Sequence, residues 1–184
     1  MRLPVLVTLL WAVAANGVTA EDFMIDFHDA DASAWYPIND GVMGGLSSSA
    51  LTITDQGCGR FAGEVSLANR GGFASVRTAV AAGDLEGAAG LVVRVRGDGR
   101  PYRLRLRTDG NLDGIAYEAE FSTEPGQWIE LDLPFAAFRP VFRGRPVPGA
   151  PTLEPGAVRQ LGLMIADKKA GPFALEIAWI RARS

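Results

Sequence analysis

The sequence has very few of the residues that most catalytic and metal sites require. Among 184 residues it contains one histidine, His28, and one cysteine, Cys58. These single residues exclude the common zinc sites, haem attachment, a disulfide framework and any histidine-dependent triad that does not use His28. We therefore expect a protein that uses no metal and no other cofactor.

The chain also lacks an excess of positive charge. It has 18 Lys and Arg residues against 21 Asp and Glu residues, and the formal net charge is −3. Nucleic-acid binding needs a cationic surface, so this balance argues against a nucleic-acid partner. Charged residues make up 21% of the chain and hydrophobic residues 48%, which excludes disorder by composition.

One long apolar run occurs, and it lies at the N-terminus. It extends from Leu3 to Ala15, follows Arg2 and precedes the small residues at 18–20. This is the pattern of a secretory signal peptide, and the run is shorter than the ~20 residues of a membrane-spanning helix. We predict a signal peptide at 1–20 and a single domain at 21–184. The mature protein is then exported, periplasmic or secreted, without a transmembrane span; an uncleaved anchor is the alternative.

Apolar and polar residues alternate through the rest of the chain, and no amphipathic helix is evident. Such alternation is typical of antiparallel strands with one buried face. Gly and Pro clusters separate the segments, and the Pro- and Gly-rich stretch 144–156 predicts a surface crossover within the domain. The pattern predicts an all-β fold, either a β-sandwich or a barrel. The alternating segments lie at 23–27, 91–96, 102–107, 115–121, 129–133 and 173–179, the last with Phe173, Leu175, Ile177 and Trp179 on one face.

One hairpin register can be predicted residue by residue. With Thr108 opposite Ile115, apolar residues face apolar residues and arginines face glutamates. Both faces agree on one register, as a specified pairing requires. The predicted pairs are Leu106–Tyr117, Leu104–Ala119 and Tyr102–Phe121 on the apolar face, and Arg105–Glu118 and Arg103–Glu120 on the polar face.

The same reasoning predicts a second hairpin within 61–80. It places Val65 opposite Val76 and Glu64 opposite Arg77. Glu64 is then the partner that neutralises Arg77.

Arginines are concentrated between Arg60 and Arg107 and recur at 139, 143 and 145. The first hairpin gives Arg103 and Arg105 carboxylate partners, and exposed pairs of this kind contribute about 0.2–1 kcal/mol each. We interpret these residues as a solvated strand face. The alternative is a concave sheet face whose arginine and acid groups bind a polar ligand through bidentate guanidinium contacts.

No set of residues matches a catalytic site. The string Gly41-Val42-Met43-Gly44-Gly45 lacks the Lys-Ser/Thr that completes a phosphate-binding loop. The serines at 47–49 have no identifiable acid–base partner. His28, Asp29 and Asp31 have a spacing that matches no calcium loop. We predict no catalytic residue and do not expect an enzyme.

Several strings of residues are more specific together than any one of them. They are Trp35-x3-Asn39-Asp40-Gly41-Val42-Met43-Gly44-Gly45-Leu46-Ser47, Asn69-x-Gly71-Gly72-Phe73-Ala74-Ser75-Val76-Arg77, Arg96-Gly97-Asp98-Gly99-Arg100-x-Tyr102, Leu133-Pro134-Phe135-x2-Phe138-x-Pro140 and Gly171-Pro172-Phe173-x-Leu175-Glu176-Ile177. In this order they resemble the complex I intermediate-associated protein 30 family, over about residues 22–181.

The resemblance implies an antiparallel jelly-roll β-sandwich of the galactose-binding-like type. The best-known members of the family are non-enzymatic mitochondrial factors that help to assemble respiratory complex I by holding intermediates. By resemblance, this chain is expected to be an exported protein-binding accessory or assembly factor, with an envelope or membrane-associated protein as its partner.

Relatives of this fold include carbohydrate-binding modules, so a carbohydrate-binding module of the cell envelope is the alternative. Aromatic side chains exposed in a groove favour sugar, because pyranose faces dock on flat rings, whereas a broad apolar patch favours protein. Trp128 and Tyr36 are the aromatic residues that decide between them.

The family strings also suggest where binding occurs. Glycines let a backbone approach a ligand closely, Asn39 and Asp40 supply acceptors, and Trp35 offers a flat apolar surface. The alternative is that Asp40 ties down its own loop, with Trp35 and Met43 in the core. The predicted ligand- or partner-binding residues are Trp35, Asn39, Asp40, Met43, Asn69 and Arg77.

Overall fold

Alternating sequence segments form thirteen β-strands in the computed structural model, which describes residues 23–28, 31–109 and 114–184. The predicted signal peptide and Asp29 lie outside the described residues. The strands are β1 (Met24–Asp26), β2 (Tyr36–Pro37), β3 (Ser48–Ile53), β4 (Gly59–Val65), β5 (Ala74–Ala79), β6 (Gly90–Gly97), β7 (Pro101–Arg107), β8 (Ala116–Ser122), β9 (Trp128–Pro134), β10 (Arg139–Phe142), β11 (Arg145–Pro146), β12 (Gln160–Ile165) and β13 (Gly171–Arg183).

The helical elements among the described residues are short 3-10 turns. None of them is long and apolar enough to cross a membrane. They are Ala32–Ala34, Asp40–Met43, Ala68–Arg70, Phe135–Ala137 and Pro155–Ala157.

The strands form two antiparallel sheets. The six-stranded sheet has the order β3-β4-β13-β6-β9, with β1 also paired to β13, and the seven-stranded sheet has the order β11-β10-β8-β7-β12-β5-β2. This arrangement confirms the predicted all-β antiparallel sandwich. The stretch 144–156 leads from β11 at one edge of the seven-stranded sheet to β12 in its interior, so it is a crossover within the fold.

The core lies between the two sheets. Tyr102 of the seven-stranded sheet packs its ring against Phe61 and Phe173 of the six-stranded sheet, with centroid distances of 6.3 and 6.4 Å. All three residues are buried. Burial, with the negative charge of Asp98, raises the pKa of the Tyr102 hydroxyl, and that hydroxyl donates to Asp98 Oδ1 at 3.0 Å. Each sheet therefore turns its apolar face inward.

The β7–β8 hairpin has the predicted register. Leu106 faces Tyr117, and Arg105 faces Glu118. The polar pairs are also ion pairs: Arg105 Nε lies 3.3 Å from Glu118 Oε2, and Arg103 Nε lies 3.0 Å from Glu120 Oε2. Agreement between the two faces was sufficient to predict this hairpin.

The predicted hairpin within 61–80 is wrong. β4 pairs with β3 and β13 in the six-stranded sheet, whereas β5 pairs with β12 and β2 in the seven-stranded sheet. Val65 and Val76 are both buried, but they belong to opposite sheets. Consecutive strands change sheets here, and alternation identifies a buried face without identifying its partner strand.

The predicted face of β13 changes along the strand. Phe173, Leu175 and Ile177 are buried as predicted, but after Ile177 the next buried side chain is Ile180 rather than Trp179. A bulge between Ile177 and Trp179 shifts the register against β6. An extra residue in one strand inverts the alternation beyond it.

A buried ion pair joins the start of β7 to the β12–β13 loop. Arg100 is 7% exposed. Its Nε donates to Asp167 Oδ2 at 2.9 Å, and its Nη2 donates to Asp167 Oδ1 at 2.7 Å. Its Nη1 donates to the carbonyl oxygen of Pro172 at 2.8 Å. The bidentate contact satisfies both charges away from water.

Candidate functional site

One buried carboxylate holds the loop that follows β2. Asp40 is fully buried, and its Oδ1 accepts from Ser47 N at 2.9 Å. Its Oδ2 accepts from Ser47 Oγ at 2.5 Å, from Gly72 N at 2.7 Å and from Phe73 N at 3.2 Å. Asp40 thus ties residues 38–47 to residues 66–73, and we call these two segments the loop junction.

Two glycines allow this close approach to Asp40. A Cβ on Gly45 would lie 2.3 Å from Asp40 Oδ1, and a Cβ on Gly71 would lie 2.6 Å from Asp40 Oδ2. Both distances are far inside van der Waals contact, so a side chain at either position would displace the carboxylate. The glycines of the family strings therefore surround the side chain of Asp40.

Asp40 is held in its ionised form. Burial by itself raises the pKa of its carboxyl group, but hydrogen bonds from the Ser47 hydroxyl and from backbone N–H groups outweigh that effect and lower the pKa below its usual value. Because its carboxylate is buried and fully hydrogen-bonded, Asp40 positions the loop rather than presenting a charge to solvent.

The other predicted residues near Asp40 have different surroundings. Asn39 Oδ1 accepts from Ser49 Oγ at 2.7 Å and from Ser75 N at 3.0 Å, so it joins β3 of one sheet to β5 of the other. Asn69 is exposed, and its Nδ2 donates to the carbonyl oxygen of Gly44 at 3.1 Å. Trp35 is buried, and its ring centroid lies 5.7 Å from that of Phe27, which places it in the core.

The loop junction carries an exposed apolar surface. Met43, a predicted site residue, is 61% exposed, and Val42, Leu46 and Leu67 are 73%, 66% and 47% exposed. We call these four residues the apolar patch. Val42, Leu46 and Leu67 were not predicted as site residues. The sequence did contain a signal for these residues. They are large apolar side chains in Gly-rich or turn segments, outside the alternating pattern of the strands.

Arg77 lies apart from the apolar patch, on the outer face of the seven-stranded sheet. It faces Tyr36 of β2 and Gly162 of β12. Glu64, its predicted partner, lies in the other sheet. Arg77 belongs to a polar surface that we call the arginine face, which consists of Arg77, Arg103, Arg105, Arg107, Glu118, Glu120 and Gln160.

The arginine face is partly neutralised and partly desolvated. Glu118 lies 3.3 Å from both Arg103 Nη1 and Arg105 Nε. Burial lowers the pKa of Arg105 to about 10; the negative charge of Glu118 opposes this shift, and the neighbouring arginines add to it. The face holds four arginines and two glutamates, and ion pairs between β7 and β8 neutralise Arg103 and Arg105, as the predicted hairpin register requires.

Few aromatic rings are open to a ligand. Trp128 is half-buried, and the guanidinium groups of Arg96 and Arg94 lie 4.9 and 5.8 Å from its ring centroid. Tyr36 is exposed, and its hydroxyl accepts from Gln160 Nε2. Among the described residues, Tyr36 and Phe142 are the exposed large aromatics, so no row of stacking platforms is present there.

A cavity of about 370 Å³ lies beside β1 and β5 and is bordered by Trp35, Asp31 and Asp84. Asp31 accepts from Ser33 N, and Asp84 accepts from Ala81 N, so both carboxylates are used locally. In the described part of the chain, no cluster of three or more His, Cys, Asp or Glu residues suits a metal ion. This cavity brings together no converging set of polar groups.

Comparison with solved structures supports the sandwich. The family 11 carbohydrate-binding module of the cellulase Lic26A-Cel5E from Clostridium thermocellum has a TM-score of 0.67 at 15% identity, over 88% of this chain and 94% of that one. The same family's module in complex with a β-1,3-1,4-mixed-linked tetrasaccharide has a TM-score of 0.65 at 16% identity, over 87% of this chain and 95% of that one. At such identity, the likeness shows the fold.

Comparison of sequences supports the family. The Drosophila melanogaster protein "Complex I intermediate-associated protein 30, mitochondrial" is 29% identical over 86% of this chain, which spans 62% of the fly protein's length. The Mus musculus protein of the same name is 35% identical over 49% of this chain and 29% of its own length. The family model itself matches residues 25–177. This chain belongs to the complex I intermediate-associated protein 30 family.

Proposed function

We propose that this protein is a non-catalytic, protein-binding accessory or assembly factor that docks its partner on the apolar patch. The observation that carries the proposal is the exposure of four large apolar side chains on one tightly tied loop junction. Exposed apolar side chains grouped in this way mark interaction surfaces, because a partner removes them from water.

The loop junction is suited to docking because it is held in place before a partner arrives. Two hydrogen bonds to Asp40, from Gly72 N and Phe73 N, connect its two segments, and two from Ser47 close the first segment on itself. Asn39 anchors the junction to both sheets. A loop ordered in advance loses little conformational entropy on binding, so more of the apolar contact contributes to affinity.

Family membership supports the same function. The names of the fly and mouse relatives describe association with intermediates of complex I. An intermediate of a protein complex presents a protein surface to the factor that binds it. If residues 1–20 act as a signal peptide, the partner here is an envelope or membrane-associated protein.

The test is affinity capture from envelope extracts with three forms of the mature domain. They are the unchanged domain, the double variant Val42→Ser/Leu46→Ser, and Met24→Ser as a control, since Met24 is exposed on β1, away from the loop junction. We expect the unchanged domain and the control to enrich the same protein, and the double variant to lose it while keeping the same thermal midpoint. Equal enrichment by all three forms, or no enrichment, overturns the proposal.

A second candidate function is carbohydrate binding. The fold of this chain is similar to that of family 11 carbohydrate-binding modules, and this similarity favours the second candidate. The scarcity of exposed rings among the described residues argues against neutral sugars held mainly by stacking. Any sugar ligand of this chain would need to be recognised through polar and charged groups.

A further inference from the structure

Three exposed arginines lie at one edge of the seven-stranded sheet. Arg139 begins β10, Arg143 follows this strand, and Arg145 begins β11. In the described part of the chain, no ion pair includes any of the three. Arg139 faces Glu118 across the strands, but two arginines of β7 already form ion pairs with the carboxylate of Glu118.

The charge of this edge is opposite in sign to that of the whole protein. Between Asp132 and Glu154 the sequence contains three arginines and no acidic residue, whereas the whole chain has a net charge of −3. This edge is therefore a basic segment of an acidic protein, and charge complementarity favours an anionic partner for it.

The turn between β10 and β11 contains an arginine where the backbone favours another residue. Phe142 and Arg145 pair across the two strands, so Arg143 and Gly144 form a two-residue turn. Both turn residues have positive φ, +48° and +73°, and such turns favour Asn followed by Gly. Arginine gives this turn no conformational advantage, so the outlier points to a role in binding. We call residues 142–145 the hairpin tip.

An exposed aromatic ring accompanies the arginines of the hairpin tip. Phe142 is 42% exposed, and the guanidinium carbon of Arg143 lies 5.2 Å from the centroid of its ring. This contact leaves the positive charge of Arg143 in place. Arg145 faces Phe142 across the hairpin and so lies on the same face. Basic residues beside a large apolar side chain are typical of segments that lie at the surface of a bilayer.

A lipid surface suits the hairpin tip better than a long acidic polymer does. An extended polymer would also run past the rest of the protein, whose net charge is negative. A bilayer needs to contact only the tip, while salt screens charges that stand more than about 8 Å away. Guanidinium groups bind phosphate oxygens through charge-assisted hydrogen bonds, and phosphates are what a lipid surface presents.

We infer that the hairpin tip docks this protein peripherally on an anionic lipid surface. The guanidinium groups of Arg143 and Arg145 contact lipid phosphates, Phe142 lies at the level of the headgroups, and Arg139 adds to the attraction. This inference goes beyond the proposed function, because the hairpin tip and the apolar patch share no residue.

The test is cosedimentation of the mature protein with lipid vesicles at low and at physiological salt. One set of vesicles contains equal parts of phosphatidylglycerol and phosphatidylcholine, and the other contains phosphatidylcholine alone. We expect binding to the anionic vesicles only, and weaker binding at the higher salt because exposed charges are screened. Equal binding to both sets, or binding to neither, overturns the inference.

The double variant Arg143→Asn/Arg145→Gln removes two charges and gives the turn a residue that tolerates positive φ. It is expected to keep or raise the thermal midpoint. Its binding to anionic vesicles is expected to weaken about 25-fold, since each arginine near a lipid surface contributes about fivefold. Arg60→Gln is the matched control, because Arg60 is an exposed arginine of β4 in the other sheet, and we expect its binding to be unchanged.

Phe142→Ser tests the ring without removing a charge. It is expected to lower affinity while leaving the salt dependence unchanged. Unchanged affinity in this variant or in the double variant overturns the inference. An equal loss in Arg60→Gln and the double variant also overturns it, because the attraction would then come from overall charge.

The two proposals can fail separately. Val42→Ser/Leu46→Ser, which changes the apolar patch, is expected to bind anionic vesicles as the unchanged protein does. Arg143→Asn/Arg145→Gln is expected to capture the same protein partner as the unchanged protein from detergent-solubilised extracts.

Discussion

At the scale of single residues, the structure separates two kinds of buried charge. Asp40 and Arg100 are enclosed and satisfied by their own chain, so they stabilise loops. Arg105 is enclosed but only partly compensated, by one glutamate at 3.3 Å. The sequence does not distinguish these roles, because each residue stands in a similar Gly-rich or alternating context.

Arg100→Ala is expected to destabilise the protein by about 3–5 kcal/mol, because it leaves Asp167 buried without its partner. Arg94→Ala is the control: it breaks an ion pair to Glu130 whose side chains are 43% and 47% exposed, and such pairs are worth about 1 kcal/mol or less. Urea unfolding of both variants measures the difference. Similar losses of unfolding free energy in the two variants would show that the buried Arg100–Asp167 pair contributes no more than the exposed Arg94–Glu130 pair.

At the scale of elements, the β7–β8 hairpin was predictable and the loop junction was not. The hairpin is local, and its two faces restrict the register independently. The loop junction depends on contacts between residues more than 20 positions apart, such as Asp40 with Gly72 and Phe73. Its sequence was recognisable by resemblance, but which side chains pointed outward was not.

Gly45→Ala is expected to destabilise the loop junction, because its Cβ would lie 2.3 Å from Asp40 Oδ1. Overpacking of this kind costs about 1–3 kcal/mol. Gly41→Ala, in the same turn, meets nothing within 4 Å and is expected to change stability by no more than about 0.5 kcal/mol. Thermal unfolding compares the two. Tolerance of alanine at Gly45 would contradict the described approach of the loop to Asp40.

At the scale of the whole molecule, two buried carboxylates make stability depend on pH. In both Asp40 and Asp167, burial acts to raise the pKa, but hydrogen bonds outweigh it and lower the folded-state pKa. Below the unfolded-state pKa of about 3.9, these two carboxyl groups bind protons in the unfolded chain while they are still ionised in the folded protein. The stabilisation is therefore present above about pH 4 and is lost as pH falls through the folded-state pKa values.

We expect Asp40→Asn to reduce this acid sensitivity while lowering stability at pH 7. The amide removes the titrating group and presents donors where Ser47, Gly72 and Phe73 already donate, a change that costs about 1.5–3 kcal/mol. The measurement is the free energy of unfolding between pH 7 and pH 3. A parallel pH profile for the variant and the unchanged protein would show that Asp40 does not contribute.

The sequence by itself determined the all-β class, the buried face of the alternating segments as far as Ile177, and one hairpin register, since these depend on period-two patterning and on local pairing. Strings of matching residues determined the family. Only the tertiary structure decided that β4 and β5 belong to opposite sheets and that a bulge turns Trp179 outward. Those features depend on which distant strands become neighbours, and a pattern along one strand carries no information about its partner.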